Sequence, residues 1–501
     1  MPRMAAIDVG SNAIRIAIAS ADSKGRLHLI HTSREPVRLG ADVFANRVIS
    51  NERLIQAMDA FLRFRKLINK SNAKSVMAVG TSAVREAINR DNFIDQIAKT
   101  SEIRIEPIRG EEEARLVHLA VASKVKLRRK IALLIDIGGG SVEISLANRR
   151  EVIVSQSFPI GTVRLLQMLN QKRYGNRVFH RLVNAYLKVT DARLKAEIGG
   201  RKVSLCIATG GNVEALGDLR VQLCGGEDNT SITIDELDSI LMRLESRSYE
   251  ERIKEFDLRP DRADVIIPSA IVLQNIARQA HINRILIPRV GVKDGLLIDM
   301  AKLLKPEGSL SHVQVISSAR SIGRKYGYNS RHSMTVARFA LQLFDSTRRL
   351  HKLGVTERTL LEVAGLLHDI GYYVNMTDHH KHSYYLIKTS PLIGLNDSQR
   401  DIVANVARYH SRASPKPSHK EYGELSPTQR SVVNWLAPLL RLAEALDREH
   451  AGKVRHVHVT IGKKKLTLRL RGQGDLLLER WALARNVQWF KEIYKRKVVI
   501  E

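Results

Sequence analysis

Apolar residues alternate with polar ones in two short stretches that repeat one plan. Ala6-Ile7-Asp8-Val9-Gly10-Ser11-Asn12 runs into Ala13-Ile14-Arg15-Ile16-Ala17-Ile18, and Ile135-Asp136-Ile137-Gly138-Gly139-Gly140-Ser141 runs into Val142-Glu143-Ile144-Ser145-Leu146. Period-two alternation bounded by glycine marks paired strands, so each stretch predicts an apolar strand ending in Asp, a glycine turn and a second strand. The copies lie 128 residues apart, about one domain length. They predict two similar α/β domains facing each other.

The intervening pattern alternates between the two periodicities, which signals strand–helix units on a largely parallel sheet. The first copy continues with a helix over 52–67, a strand over 75–79 and a helix from 81 to 88 capped by Thr81 or Ser82. A strand over 103–108 and a helix over 111–121 follow. In the second copy a strand over 203–208 enters Thr209-Gly210-Gly211-Asn212 and then a helix; 285–287 and 290–295 close the unit before a helix to 304. Lys305-Pro306-Glu307-Gly308 reads as a boundary. From 312 to about 447 the pattern is helical and rich in histidine: His332, His351, His368, His379, His380, His382, His410 and His419, with His450 just beyond. The tail alternates again over 454–460 and 465–470. The predicted domains are therefore 1–125, 126–305, 306–448 and a small α+β domain over 449–501.

Composition narrows the function classes. The 501 residues contain two cysteines, Cys206 and Cys224, which exclude a disulfide framework and a cysteine zinc site and suit a reducing compartment. The 81 Lys and Arg against 52 Asp and Glu leave a charge of +29. Such an excess implies a polyanionic partner: nucleic acid, an anionic membrane or a polymeric phosphate. No apolar run approaches the ~20 residues of a membrane helix; the best, 131–135, is cut by Asp136. Asp8 interrupts the stretch where a signal peptide would be apolar, so the expected location is cytoplasmic, with no membrane partner. Aromatic residues are 5% of the chain, which weighs against single-strand stacking.

The two turns suit phosphate chemistry. Glycine lets backbone N–H groups point into a concave turn, and such a nest binds phosphate oxygens. A carboxylate at the preceding strand end, Asp8 or Asp136, is placed to hold Mg²⁺. Two facing turns would clamp one phosphoryl group from both sides.

These turns, with Gly80-Thr81-Ser82-Ala83-Val84-Arg85-Glu86-Ala87, Gly110-Glu111-Glu112-Glu113-Ala114-Arg115 and Ala208-Thr209-Gly210-Gly211-Asn212, resemble the exopolyphosphatase / guanosine pentaphosphate phosphohydrolase (Ppx/GppA) family. That family lies in the sugar kinase, heat-shock ATPase and actin (ASKHA) superfamily. The resemblance implies two actin-like, ribonuclease-H-like domains with the active site in the cleft between them. It further implies Mg²⁺-dependent hydrolysis of the terminal phosphate of inorganic polyphosphate, and the expected assembly is a homodimer. Carried over, Glu113 matches the catalytic glutamate; Asp8, Gly10, Ser11 and Asn12 the first phosphate motif; Asp136, Gly138 and Glu143 the second; Arg85 a phosphate-facing arginine. The chemistry agrees: anhydride hydrolysis needs an oriented water, a base and positive charge over the transferring oxygens. Glu113 is the expected base and Glu143 its competitor. The amides of Gly138, Gly139 and Gly140, beside Ser141, would hold oxygens. An acidic first helical turn is the plainer reading of Glu111-Glu112-Glu113, and a salt-bridged helix residue that of Arg85. Gly210-Gly211 matches a corner that abuts adenosine in the superfamily's kinases and here closes the cleft; Asn212 serves either that site or as a helix N-cap.

In the helical region His332, His368-Asp369 and Asp447 fit the H…HD…D pattern of HD-domain phosphohydrolases, with His and Asp adjacent on one helix. An HD-like all-α domain would hold a further divalent metal through these four, with His382 and His410 available for another. The alternative is a vestigial helical domain. In the tail, Lys463-Lys464-Lys465 and Lys495-Arg496-Lys497 form either a polyphosphate track or a solvated surface. Three functional rivals stand beside exopolyphosphatase. They are a guanosine pentaphosphate 5′-phosphohydrolase, a non-catalytic polyanion or nucleic-acid binder, and an actin-like kinase, which the separate Glu113 base disfavours.

Overall fold

The computed structural model of the chain describes residues 2–22, 26–127, 130–149, 151–169, 178–188, 201, 203–225, 227–303, 312–411 and 413–501. They fall into two units, 1–308 and 309–501. The boundary expected at Lys305-Pro306-Glu307-Gly308 lies outside the described residues.

In the first unit, strand β1 (Arg3–Val9) is buried along all but its first residue, as a central strand covered on both faces must be. It pairs antiparallel with β2 (Ile14–Ala21), which pairs with β3 (Leu27–Glu35); on its other side lie parallel β4 (Ser75–Gly80) and then β5 (Ile105–Pro107), giving the order β3-β2-β1-β4-β5. The second sheet contains β6 (Ala132–Ile137), β7 (Val142–Ala147), β8 (Val152–Phe158), β9 (Leu205–Thr209), β10 (Ser231–Thr233) and β11 (Arg284–Leu286), in the order β10-β11-β9-β6-β7-β8. Without the added edge strand β10, that is the first sheet's order repeated. Register then decides which side chains meet. Asp8 stands opposite Arg15, whereas the equivalent Asp136 stands opposite Glu143 on one side and Thr209 on the other.

The helix that follows each sheet packs on the other one. Helix Gly110–Lys124 lies against β7 and β8, and helix Val292–Leu303 lies against β1 and β2; the two helices also pack together. Their crossing is close enough that a Cβ at Gly295 would overlap the Leu116 carbonyl oxygen. Arg115, 4% exposed, ties the crossing with bonds to Glu112 (2.7 and 2.8 Å) and Asp299 (2.7 and 3.0 Å).

The second unit is built from helices including His312–Lys325, Ser330–His351, Val355–Leu367, His379–Thr389, Asp397–Arg408 and Pro427–Ala445. The tail, expected as a small domain of its own, adds strands β12 (Val454–Ile461), β13 (Lys465–Gly472) and β14 (Lys497–Ile500) and the helix Leu477–Tyr494. Leu466, Leu468 and Phe490 of this tail are buried in one apolar core with Phe339, Leu367 and Leu440 of the helices. The helix 477–494 and the third strand are elements that the alternating pattern did not indicate. Two local expectations are corrected. His368 and Asp369 lie just past the end of Val355–Leu367, at its turn into the 3₁₀ segment Ile370–Tyr373, rather than within one helix. Asn212 lies inside the helix Gly211–Cys224, whose N-cap is Gly210.

Because the Gly295 crossing has no room for a methyl group, Gly295→Ala is expected to destabilise the α/β unit by about 1–3 kcal/mol or more. Urea unfolding followed by circular dichroism measures this; an unchanged midpoint would mean that the helices yield there freely.

Candidate active site

The two glycine turns meet. A Cβ at Gly139 would lie 3.0 Å from Ser11 Cβ and 3.4 Å from the Asn12 nitrogen, so Asp8 and Asp136 open onto a shared crevice. The turns are not wholly free cradles, however. Gly10 N–H donates to the Ala13 carbonyl (3.1 Å) and Gly138 N–H to that of Ser141 (3.0 Å). The carbonyls of Gly138, Gly139 and Gly140 accept from the amides of Gly161 to Arg164, which satisfies the start of helix Thr162–Leu169. Among the described residues, the amides of Ser11, Asn12, Gly139 and Gly140 have no such backbone partner. Gly140 is a packing position, where a Cβ would overlap Phe44 and Ser82, and Ser141 is buried beside Glu143. The side chain of Asn12 bonds Asp261, to its carbonyl oxygen (2.9 Å) and its carboxylate (3.3 Å), and Asp261 also pairs with Arg34. These contacts join the two halves.

A cavity of about 290 Å³ lies between the halves, lined by Asp8, Glu113 and Asp136 together with both turns. Glu113 arrives from the first turn of helix Gly110–Lys124. Gly110 permits the approach, since a Cβ there would sit 2.6 Å from Ser157 Cβ and 3.4 Å from Glu143 Oε1. One oxygen each of Glu113, Asp136 and Glu143 lies within 4.8 Å of the others. Glu143 Oε1 accepts from Ser157 Oγ (2.8 Å) and Asp136 Oδ1 from Thr209 Oγ1 (2.6 Å). Glu113 Oε2 and Glu143 Oε2 are buried with no hydrogen-bond partner. Burial and then the neighbouring carboxylates push Glu113 well above the usual range. Burial and then Asp136 push Glu143 up to about 7. Burial raises Asp136 to about 6 against the Thr209 bond, and burial raises Asp8 against the charge of Arg15, 3.3 Å away. Three carboxylates, two of them with an orphaned oxygen, form an all-oxygen donor set of the kind hard cations take. The group that gathers is thus Asp136 with the two glutamates rather than Asp136 with Asp8.

Positive charge comes largely from residues that the motifs did not single out. Arg15, Arg34, Arg262, Arg289 and Lys293 line the cavity. Arg262 donates to the Gly211 carbonyl, and a Cβ at Gly211 would meet Arg262 Nη2 at 2.8 Å and Arg15 Nη2 at 2.9 Å. Gly210 itself needs glycine, with φ at 112° and the Ile137 carbonyl 2.5 Å from any Cβ. Asn212 Nδ2 reaches Thr162 Oγ1 at 3.4 Å and lines the same cavity. Arg85 sends one arm to the Ile108 carbonyl (2.6 Å) and is not among the cavity-lining residues, though its charge lowers the pKa of Glu113 and Glu143. The signal for Arg15 was present in the sequence, since the hairpin register sets it opposite Asp8; Arg262 carried none.

The helical unit brings His332, His368 and Asp369 together, joined by His379 and His410. His382 is not in this group. Asp447 does not face Asp369: its Oδ2 bonds His332 Nδ1 (2.9 Å) and its Oδ1 the Gly452 amide (2.7 Å). Burial lowers His368 to about 4. In the tail, the two basic clusters adjoin, with Lys465 paired to Lys497 across β13 and β14 and Arg496 bonded to the Gly462 carbonyl (3.1 Å).

Raised carboxylate pKa values cost stability as pH rises. The folded state keeps its protons above the unfolded pKa, so stability present near pH 4.5 is lost through about pH 6–7. Glu143→Gln is therefore expected to stabilise the free protein at pH 8 by roughly 1–3 kcal/mol and to change little at pH 4.5, read as thermal midpoints at both pH values.

Residues 17–304 match the Ppx/GppA phosphatase family, and residues 316–487 match Ppx/GppA phosphatase, domain III. A solved exopolyphosphatase from Cytophaga hutchinsonii ATCC 33406 is 26% identical with a TM-score of 0.57, over 61% of this chain and 100% of that one. A solved exopolyphosphatase-like protein is 25% identical with a TM-score of 0.53, over 60% of this chain and 97% of that one. Among the described residues no helix is long and apolar enough to cross a membrane. With the duplicated glycine turns, the glutamate between them and a family match over more than half its length, the chain belongs to the Ppx/GppA phosphatase family.

Proposed function

We propose that the cleft hydrolyses the terminal phosphoanhydride of inorganic polyphosphate and releases orthophosphate. The observation that carries this is the meeting of Glu113, Asp136 and Glu143 in a cavity rimmed by arginine and lysine. A buried carboxylate with a raised pKa is a strong base once ionised, which suits abstraction of a proton from water. Glu113 takes that role because it lines the cavity and its Oε2 is unpartnered. Glu143, held by Ser157 and outside the lining, orients and charges the cluster. Arg15, Arg262 and Lys293 bind the non-bridging oxygens of the chain end. The amides of Ser11 and Gly139 would donate to the terminal phosphate. Asp136 and Glu143 would hold Mg²⁺, which when bound supplies positive charge over the transferring phosphoryl group.

The sibling activity, removal of the 5′ phosphate from guanosine pentaphosphate, is the second reading. Two observations favour the inorganic chain. No aromatic ring is among the described residues lining the cavity, so nothing there stacks a base. Two guanidiniums cover Gly211, at the corner where the superfamily's kinases seat a nucleoside. They would receive further phosphates instead.

Glu113→Gln is expected to lower kcat on long-chain polyphosphate by about 10²–10⁴-fold and to leave KM within a few-fold. Released phosphate with Mg²⁺ present measures it, and a full rate would transfer the base to Glu143. Arg262→Ala is expected to raise KM at least tenfold with kcat nearly kept. Comparing kcat/KM on polyphosphate and guanosine pentaphosphate tests the substrate; a preference for the nucleotide would reverse the order of the two readings.

A further inference from the structure

The three-stranded sheet of the tail turns one face inward. Val457, Leu466, Leu468, Leu470 and Val498 are buried in the apolar core of the helical unit. Side chains alternate along a strand, so the residues between these form the opposite face. There the register pairs His456 with Arg471, His458 with Arg469, Thr460 with Thr467 and Lys465 with Lys497. All but Thr467 are exposed. Lys463 and Lys464, in the turn between β12 and β13, and Lys495, just before β14, stand at the Lys465 end, where the Lys497 amide donates to the Lys464 carbonyl (3.0 Å).

Like charges directly opposite on a sheet are destabilising, so the folded chain gains nothing from this arrangement. Among the described residues none of these five lysines forms an ion pair. Glu501, in register on the same face, is engaged by Arg469, accepting from its Nε (3.2 Å) and Nη2 (2.8 Å). The face therefore complements a polyanion. Its two ends differ in kind. The turn end offers only ammonium groups. The other end offers two cross-strand pairs of planar groups, His458 with Arg469 and His456 with Arg471, about 7 Å apart along the strands. Imidazole is the least cationic choice for a track of phosphates, but it presents a π-face to a base, as guanidinium does. Glu501 takes an edge of the Arg469 guanidinium and leaves its flat faces for stacking.

We propose that this face binds a single strand of nucleic acid. Two successive bases stack on the His458–Arg469 and His456–Arg471 pairs, and the lysines at the turn end hold the phosphates that continue the strand. An inorganic phosphate chain has no ring to stack, and the bases of a duplex are already stacked on each other. The planar pairs thus single out an unpaired strand among polyanions. This binding surface does not depend on the phosphatase reading of the cleft.

Fluorescence anisotropy of a labelled 12-nucleotide RNA, titrated with full-length protein in EDTA so that no turnover occurs, tests this; a DNA strand of the same sequence tells the two sugars apart, and saturable binding of either supports the proposal. An abasic phosphodiester strand of equal length and charge should bind at least tenfold more weakly. The combined His456→Ala, His458→Ala, Arg469→Lys, Arg471→Lys variant, which keeps the arginine charges, should lose at least tenfold in affinity for RNA and stay within about twofold for polyphosphate. Lys463→Ala, Lys464→Ala, Lys497→Ala should lower the slope of log affinity against log salt by about two. These side chains are exposed, and circular dichroism verifies that each variant is folded. Absence of saturable binding to either strand, or an abasic strand or polyphosphate held as tightly as RNA, overturns the proposal. RNA affinity that neither folded variant changes overturns the placement.

Discussion

The candidate site depends on one packing event: the first turn of helix Gly110–Lys124, which belongs to the first sheet, presses against the second. Gly110 lies on Ser157 because it has no side chain to hold it off. That contact carries Glu113 to Asp136 and Glu143, which β6 and β7 have already set side by side. The reciprocal helix, Val292–Leu303, crosses over Leu116 at Gly295 and brings Lys293 toward Asp8. Two helices exchanged between two sheets thus assemble a cleft that neither sheet contains alone.

The duplicated hairpins have diverged where the chemistry requires it. At equivalent register positions one carries Arg15 and the other Glu143. An arginine beside Asp8 balances its charge; a glutamate beside Asp136 adds to it. The second lobe therefore concentrates negative charge in a buried place, and burial raises every carboxylate there. Buried charge of one sign is expensive without a partner. The orphaned oxygens of Glu113 and Glu143 are the visible form of that cost. Arg15 of the first lobe, with Arg262 and Lys293 near the starts of their helices, sets positive charge on the same cavity.

In the second unit the buried polar cluster is one of histidines around a single carboxylate. Its histidines are oriented from behind, by carbonyls at the ends of helices and by Asp447, so that their Nε2 atoms converge on Asp369. The tail participates because its strands and the helix Leu477–Tyr494 close the same apolar core, and Gly452, just after His450, fixes Asp447.

Local pattern determined a good deal. Alternating apolar positions and glycine corners announced both hairpins, and strand-to-helix alternation announced the two α/β halves. Asp8, Asp136, Glu113 and the Gly210-Gly211 corner all reach the cavity predicted for them. These features are legible because period and turn chemistry are short-range properties. Only tertiary structure decided that Gly140 seals the interior, that Asn12 serves Asp261, that His379 rather than His382 joins Asp369, and that Arg262 covers Gly211. The physical reason is the same in each case: a side chain's partner is set by how helices from distant parts of the chain cross, and nothing in the local sequence encodes that angle.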